Sequence, residues 1–246
     1  MTRRNAMAAE QPSHQPGGAT QKRETWIEPA AARGLQILST EHWSLLATRA
    51  LTYSESFNRV GMFFSVLSGA VISLALIAQA GRFGTTLTVA AILLLSVVIF
   101  VGLATIARLT AVNGDDLLWV MGMNRLRHAY LDLNPELEGF FVASSNDDFR
   151  GISITMGLHG LERRSPLVQF GHGLTTMPGM LSVIVSVVAG ALGAVVAGAL
   201  GAPQSIAITS GGGAFLVIFA GLGLYGWRSF TGNAKRLTSR FPSPEK

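Results

Sequence analysis

The chain has 246 residues, 49% of them hydrophobic and only 13% charged, with no cysteine and a formal net charge of +5. Without cysteine there is no disulfide framework, no thiolate nucleophile and no zinc site with sulfur ligands. The apolar excess departs from a soluble domain toward a polytopic membrane protein, and the placement of the cations fits a membrane topology better than a nucleic-acid partner.

Residues 1–34 are rich in Gln, Pro, Gly and Ala, carry Arg3, Arg4, Lys22 and Arg23, and lack the apolar core of a signal peptide. They read as a disordered tail left where it was made, with the first span as an uncleaved insertion signal. Residues 35–59 read as an amphipathic helix leading directly into that span. Ser39 or Thr40 is placed to cap it, and Glu55 is spaced to pair with Arg59. Trp43, Leu46, Ala50, Tyr53 and Phe57 form one apolar stripe, with two possible partners: the protein's own polar segment, which is the simpler one, or a second subunit.

Four stretches, 60–80, 85–107, 177–200 and 206–227, contain no Asp, Glu, Lys, Arg or His. Each exceeds the roughly 20 residues that a helix needs to cross a bilayer. They predict an all-α, four-span membrane protein of two hairpins, 60–107 and 177–227, with a small cytoplasmic helical module between them. The first span holds Gly61, Ser65, Gly69 and Ser73 at a spacing of four, and the third holds Ser186, Gly190, Ala194 and Gly198 likewise. Small residues on one face let helix backbones approach closely in lipid, and the most economical pairing sets the first span against the third.

The central segment, 108–176, opens with Asn113 placed to cap a helix that begins with Asp115 and Asp116 and ends with Arg125, Arg127 and His128, the charge order a helix dipole favours. Trp119, Met123, Leu126, Tyr130 and Leu133 supply its apolar stripe, and Asn134-Pro135 starts a short helix running to about Phe141. From Ser144 onward recurrent glycines predict a loop with interfacial contacts, in which Asp147 and Asp148 are solvated. The second hairpin has eleven glycines, among them Gly211, Gly212 and Gly213 in succession. These fit close packing with a local distortion, or an unwound element lining a cavity. The tail 228–246 interleaves Arg228, Lys235, Arg236 and Arg240 with Phe230, Leu237 and Phe241, which fits a plain positive-inside stop signal with a frayed end, the simpler reading, or a basic segment lying on the inner leaflet.

Eighteen of the 19 Lys and Arg residues fall outside the two inter-span turns, with Arg82 the exception. Cation-rich loops stay inside, which places both termini and the central segment in the cytoplasm. No span carries an ionisable group of the kind that usually marks a proton relay or ion-coupled carrier. The histidines are scattered, no nucleotide-binding loop or nucleophile elbow is present, and the pairs Asp115-Asp116 and Asp147-Asp148 have ordinary structural explanations, so no enzyme, metal or cofactor is expected.

The run Gly122-Met123-Asn124-Arg125-Leu126-Arg127-His128-Ala129-Tyr130-Leu131, followed by Pro135-Glu136-Leu137 and Asp147-Asp148, resembles a segment of a group of uncharacterised four-span bacterial membrane proteins. Residues 42–49 and 57–80 resemble the same group, and the likeness covers roughly 41–150. It implies a multi-pass protein of a bacterial inner membrane and carries over no catalytic residue. Asn146 stands where that group is expected to have His, which speaks further against a metal there.

The functional expectation is a non-enzymatic membrane protein that acts through helix packing, with the lipid bilayer and another copy or another membrane protein as partners, and no nucleic acid. Arg125, Arg127, Lys235, Arg236 and Arg240 are the candidates for contact with a partner or lipid headgroup. The alternative is a channel or small-solute transporter formed by the glycine-rich hairpin.

Overall fold

In a computed structural model of the protein, residues 21–81, 84–158, 160 and 165–244 are described, with only the backbone given for 21–30, Pro166, Gln169 and Arg236. The expected tail over residues 1–20 lies outside the described residues, as do Arg82, His159, Glu162 and Glu245. The described residues form α1 (Gln21–Gln79), α2 (Thr85–Leu133), a 3-10 turn (Pro135–Phe140), α3 (Phe149–Thr155), α4 (Pro166–Thr175), α5 (Met177–Ala199) and α6 (Gln204–Arg236), with no strand among them. Four of these, α1, α2, α5 and α6, are long and apolar enough to cross a membrane.

The polar segments flanking the first two spans do not form separate helices. α1 is helical through residues 21–34 and on to Gln79, and Thr40, expected near a cap, donates its hydroxyl to the Gln36 carbonyl inside the helix at 2.8 Å. Asn113 likewise lies within α2 rather than at a start. No proline occurs between Pro29 and Pro135, so a helix nucleated in lipid, where every backbone group must be paired internally, propagates outward past these local cap signals. The chain reverses after α1 through Gly81 and Gly84, whose φ angles of 67° and 100° favour a residue without Cβ. The short helix expected after Asn134 is present as the 3-10 helix Pro135–Phe140, with the proline at its start, but the Asn134 side chain makes no capping bond.

α1 packs along α2, α2 along α5, and α5 along α6, while α4 folds against the start of α5. Phe63, Val98, Leu181 and Val185 are fully buried at the junction of α1, α2 and α5. Gly102 makes that junction possible, because a Cβ there would run into Val185 and meet Phe63. Within the spans, such burial replaces contact with lipid rather than with water, so its gain is close packing. A second cluster lies beyond the apolar spans, where Leu117, Val120, Met121, Met123 and Ile152 are buried and Leu45, Met156 and Leu237 pack on them. Here water is displaced, and each fully buried aliphatic side chain contributes about 1.5–3 kcal/mol. Ile152, 1% exposed, thus anchors the seven-residue α3 to α2.

Two expectations about packing are corrected. Gly61 and Gly69 have open space where a Cβ would be, so the first ladder does not face the third span. The third-span ladder packs instead on α6: a Cβ on Gly190 would lie 3.0 Å from the Gly211 carbonyl, and one on Gly211 would lie 3.1 Å from Ala194 Cβ. Gly211–Gly213 stay helical, which removes the unwound element. Of the three, Gly211 alone supplies the close approach that the α5 ladder needs, while Gly212 and Gly213 have open space beside them.

Candidate functional site

Two polar clusters lie on the parts of α1 and α2 that project beyond the apolar spans. In the first, Arg49 of α1 donates to both carboxylate oxygens of Asp116 on α2, with the Nη2–Oδ2 distance 3.0 Å, and the Tyr53 hydroxyl adds a third bond at 3.2 Å. Hydrogen bonding to Asp116 raises the Arg49 guanidinium, and burial raises the Tyr53 phenol. Nearer the spans, Glu55 accepts from Arg59 at 2.8 Å and from Arg108 of α2 at 3.0 and 3.1 Å. The bonds from Arg108 first and Arg59 second push the Glu55 carboxyl down to about 2. The expected Glu55–Arg59 pair is therefore half of a fork that also ties α1 to α2. Further out, His42 stacks on Tyr130 with centroids 5.9 Å apart, and burial, then the Arg127 charge, lowers its imidazole.

The second cluster surrounds two fully buried polar side chains, Asn124 and Asp147. Asn124 donates to the Asn146 carbonyl at 2.7 Å and accepts from Arg127 at 2.7 Å and from the Thr155 hydroxyl at 2.9 Å. The Asp147 carboxylate accepts from Arg125 at 2.7 Å, from the Ser239 hydroxyl at 2.7 Å, and from the backbone N–H groups of Arg240 and Phe241 at 2.8–3.0 Å. Burial is the largest single influence and pushes this carboxyl up, yet the bonds from Arg240, Arg125, Ser239 and Phe241 together outweigh it and hold it below the usual carboxylate range. Asp148 caps α3 by accepting from the Gly151 N–H at 2.8 Å and binds Ser243 through both its N–H, at 3.2 Å, and its hydroxyl, at 2.8 Å.

The solvated loop expected at Asp147-Asp148 is therefore corrected: the end of the chain folds over it and satisfies both carboxylates. The C-terminal stretch is not simply a basic end beside a membrane, because from the end of α6 it runs on beside α2, away from the spans, from Gly114 past Arg125 to His128. His128 stacks on Phe241 with centroids 4.0 Å apart, Arg125 donates to the Thr238 carbonyl at 2.6 Å, and Leu237 packs in the second hydrophobic cluster.

Of the side chains expected to meet a partner or headgroup, Arg125 and Arg127 are taken up internally. Lys235 and Arg240 are exposed, and only the backbone of Arg236 is described. Ser186 and Gly190 are buried, Ala194 is half-buried, and Gly61, Ser65, Gly69 and Gly198 are exposed, with Ser73 intermediate. Of the stripe, Trp43, Leu46, Ala50 and Phe57 face outward, with Trp43 68% and Phe57 61% exposed, while Tyr53 lies at the edge of the seam and turns its hydroxyl to Asp116. The side of α1 that covers α2 is formed by Leu45, Arg49 and Ser56 instead, a mixed polar surface that an apolar-stripe criterion passes over. The roles of Asp116, Asn124, Thr155, Ser239 and Phe241 were also missed. A polar residue at a core position of α2, as at Asn124, was the available signal.

Among the described residues there is no group of three or more His, Asp or Glu side chains placed to hold a metal ion. No protein-family model, curated protein or solved structure matches the chain.

Proposed function

We propose that the chain is a non-enzymatic, four-span protein of a bacterial inner membrane, with two transmembrane hairpins and both termini in the cytoplasm, that works by assembling with copies of itself through α1. The observation that carries this reading is the outward face of α1. Trp43, Ala50 and Phe57, from the polar half, continue at helical spacing into Gly61, Ser65 and Gly69 of the apolar half, and all six are exposed in the single chain. Lipid accounts for exposed apolar groups inside a span. It does not account for Trp43, which lies about 25 Å along the helix from Val60 at ~1.5 Å per residue, in the aqueous region. A second α1 on the same face covers both halves at once, aromatic side chains outside and small residues inside.

The channel or small-solute transporter reading has less support, since Gly211 is occupied by packing against Gly190 and its helix is unbroken. Lys235 and Arg228, both exposed near the end of α6, fit contact with anionic headgroups at the inner surface.

The native chain has no cysteine, which makes single-cysteine crosslinking clean. In native membranes, Phe57→Cys and Ser65→Cys are expected to give disulfide dimers, whereas Ser186→Cys, buried within the monomer, gives none. Absence of dimers at both α1 positions, together with a monomeric mass in detergent, overturns the reading.

A further inference from the structure

The contacts around Asp147 have the form of peptide recognition. One buried carboxylate accepts two consecutive backbone N–H groups, those of Arg240 and Phe241, and the Asp147 N–H donates back to the Phe241 carbonyl at 3.1 Å. This reciprocal pairing reads main chain, as an added strand does when it docks on a sheet edge. Side chains supply the selectivity: the His128 ring receives Phe241, while Asp147 and Asp148 accept the hydroxyls of Ser239 and Ser243. The seated stretch 237–244 is neither helix nor strand, so the surface formed by α2 and the 146–150 segment, rather than secondary structure of its own, holds it in place. With the tail lifted away, Asp147 keeps Arg125 of α2 but loses the Ser239 hydroxyl and two backbone N–H donors, so an occupant that returns such donors is favoured.

The geometry points to a peptide-binding site on α2 and the 146–150 segment, with the chain's own Ser239-Arg240-Phe241-Pro242-Ser243 as its tethered ligand. Its ligand class is an extended peptide with a phenylalanine flanked by serines, whose main chain Asp147, Arg125 and Arg150 engage. Tethering through α6 supplies an effective ligand concentration on the order of mM, so a site of modest intrinsic affinity stays filled in the resting chain. This inference is independent of self-association, because a monomer contains both site and ligand.

The test uses the full-length chain carrying Phe241→Ala, whose tail lacks the stacking ring and competes poorly. A fluorescent peptide of residues 236–246 is titrated against this chain in detergent and compared with the same peptide carrying Phe241→Ala or Ser239→Ala. The native peptide is expected to bind at least tenfold more tightly than the Phe241→Ala peptide and severalfold more tightly than the Ser239→Ala peptide. Substitutions in the peptide cannot disturb the fold of the protein, so equal binding of all three, or no binding up to mM concentrations, overturns the assignment. Wild-type chain is expected to bind the native peptide at least tenfold more weakly than the Phe241→Ala chain, and equal affinity for the two chains also counts against a tethered ligand.

Discussion

Arg49 and Asp116 meet across the seam between α1 and α2 with both carboxylate oxygens engaged, and their exposures are unequal: 22% of the Arg49 side chain is accessible against 8% of the Asp116 side chain. Removing the arginine strands a nearly buried carboxylate that keeps only the Tyr53 hydroxyl, whereas removing the aspartate leaves a guanidinium able to turn toward water. Arg49→Ala is therefore expected to cost about 1.5–3 kcal/mol, and Asp116→Ala less. Apparent Tm values in detergent check the order, and a larger loss from Asp116→Ala contradicts it.

Acid acts on two carboxylates of different character. Glu55 and Asp147 both have folded values below their unfolded ones, so each contributes stability that is present above the unfolded value and is lost as pH falls through the folded value. For Glu55 that window runs from 4.5 down to about 2. Its side chain is 37% exposed, so salt screens its share, while Asp147 at 0% is insulated. The apparent Tm is expected to fall below pH 4.5, with Glu55→Gln flattening the part of the slope that 0.5 M salt also flattens (roughly a two-fold shorter Debye length than at 0.1 M).

Neighbouring glycines in α6 should respond oppositely to alanine. A methyl on Gly211 would stand 2.8 Å from the Gly190 carbonyl and force the helices apart, whereas Gly212 and Gly213 have nothing within 4 Å. Gly211→Ala is expected to destabilise by about 1–3 kcal/mol. Gly212→Ala is expected to be neutral or to stabilise by up to about 1 kcal/mol through helix propensity. Thermal scans of the two variants in one detergent separate them, and similar losses at both positions refute the packing account.

Trp43→Ser and Phe57→Ser remove large exposed apolar groups that touch little of their own chain. Both are expected to reduce the crosslinking of Ser65→Cys severalfold while leaving the apparent Tm of the monomer within about 0.5 kcal/mol of equivalent stability. A drop in monomer stability with unchanged crosslinking would assign the stripe to internal packing instead.

The four long apolar helices were legible because lipid imposes a strict rule on residues 60–80, 85–107, 177–200 and 206–227, and the sequence obeys it without exception. Their partners were less so. The Gly61 and Ser186 ladders look alike on paper, yet only the one on α5 meets a complementary glycine at Gly211. Cap signals at Thr40 and Asn113 misled because a local hydrogen-bond option loses to a helix already propagating from the membrane. The pairing of Asp147 with Ser239 spans 92 positions, and no periodicity reports such a contact. α4 had a readable start, Ser165 before Pro166, which the surrounding glycines obscured.

The unbroken course of α1 gives it the mechanics of a lever. With no proline or left-handed residue between Trp43 and Val60, a change in tilt of the membrane segment carries the outer end with it. Over an arm of about 25 Å, a rotation of roughly 10° sweeps Trp43 sideways by about 4 Å, close to half the ~8–10 Å separation of packed helices. Tilt is set by packing against neighbouring helices, and because Arg49–Asp116 and Glu55–Arg108 bind this arm to α2, the two helices swing as one.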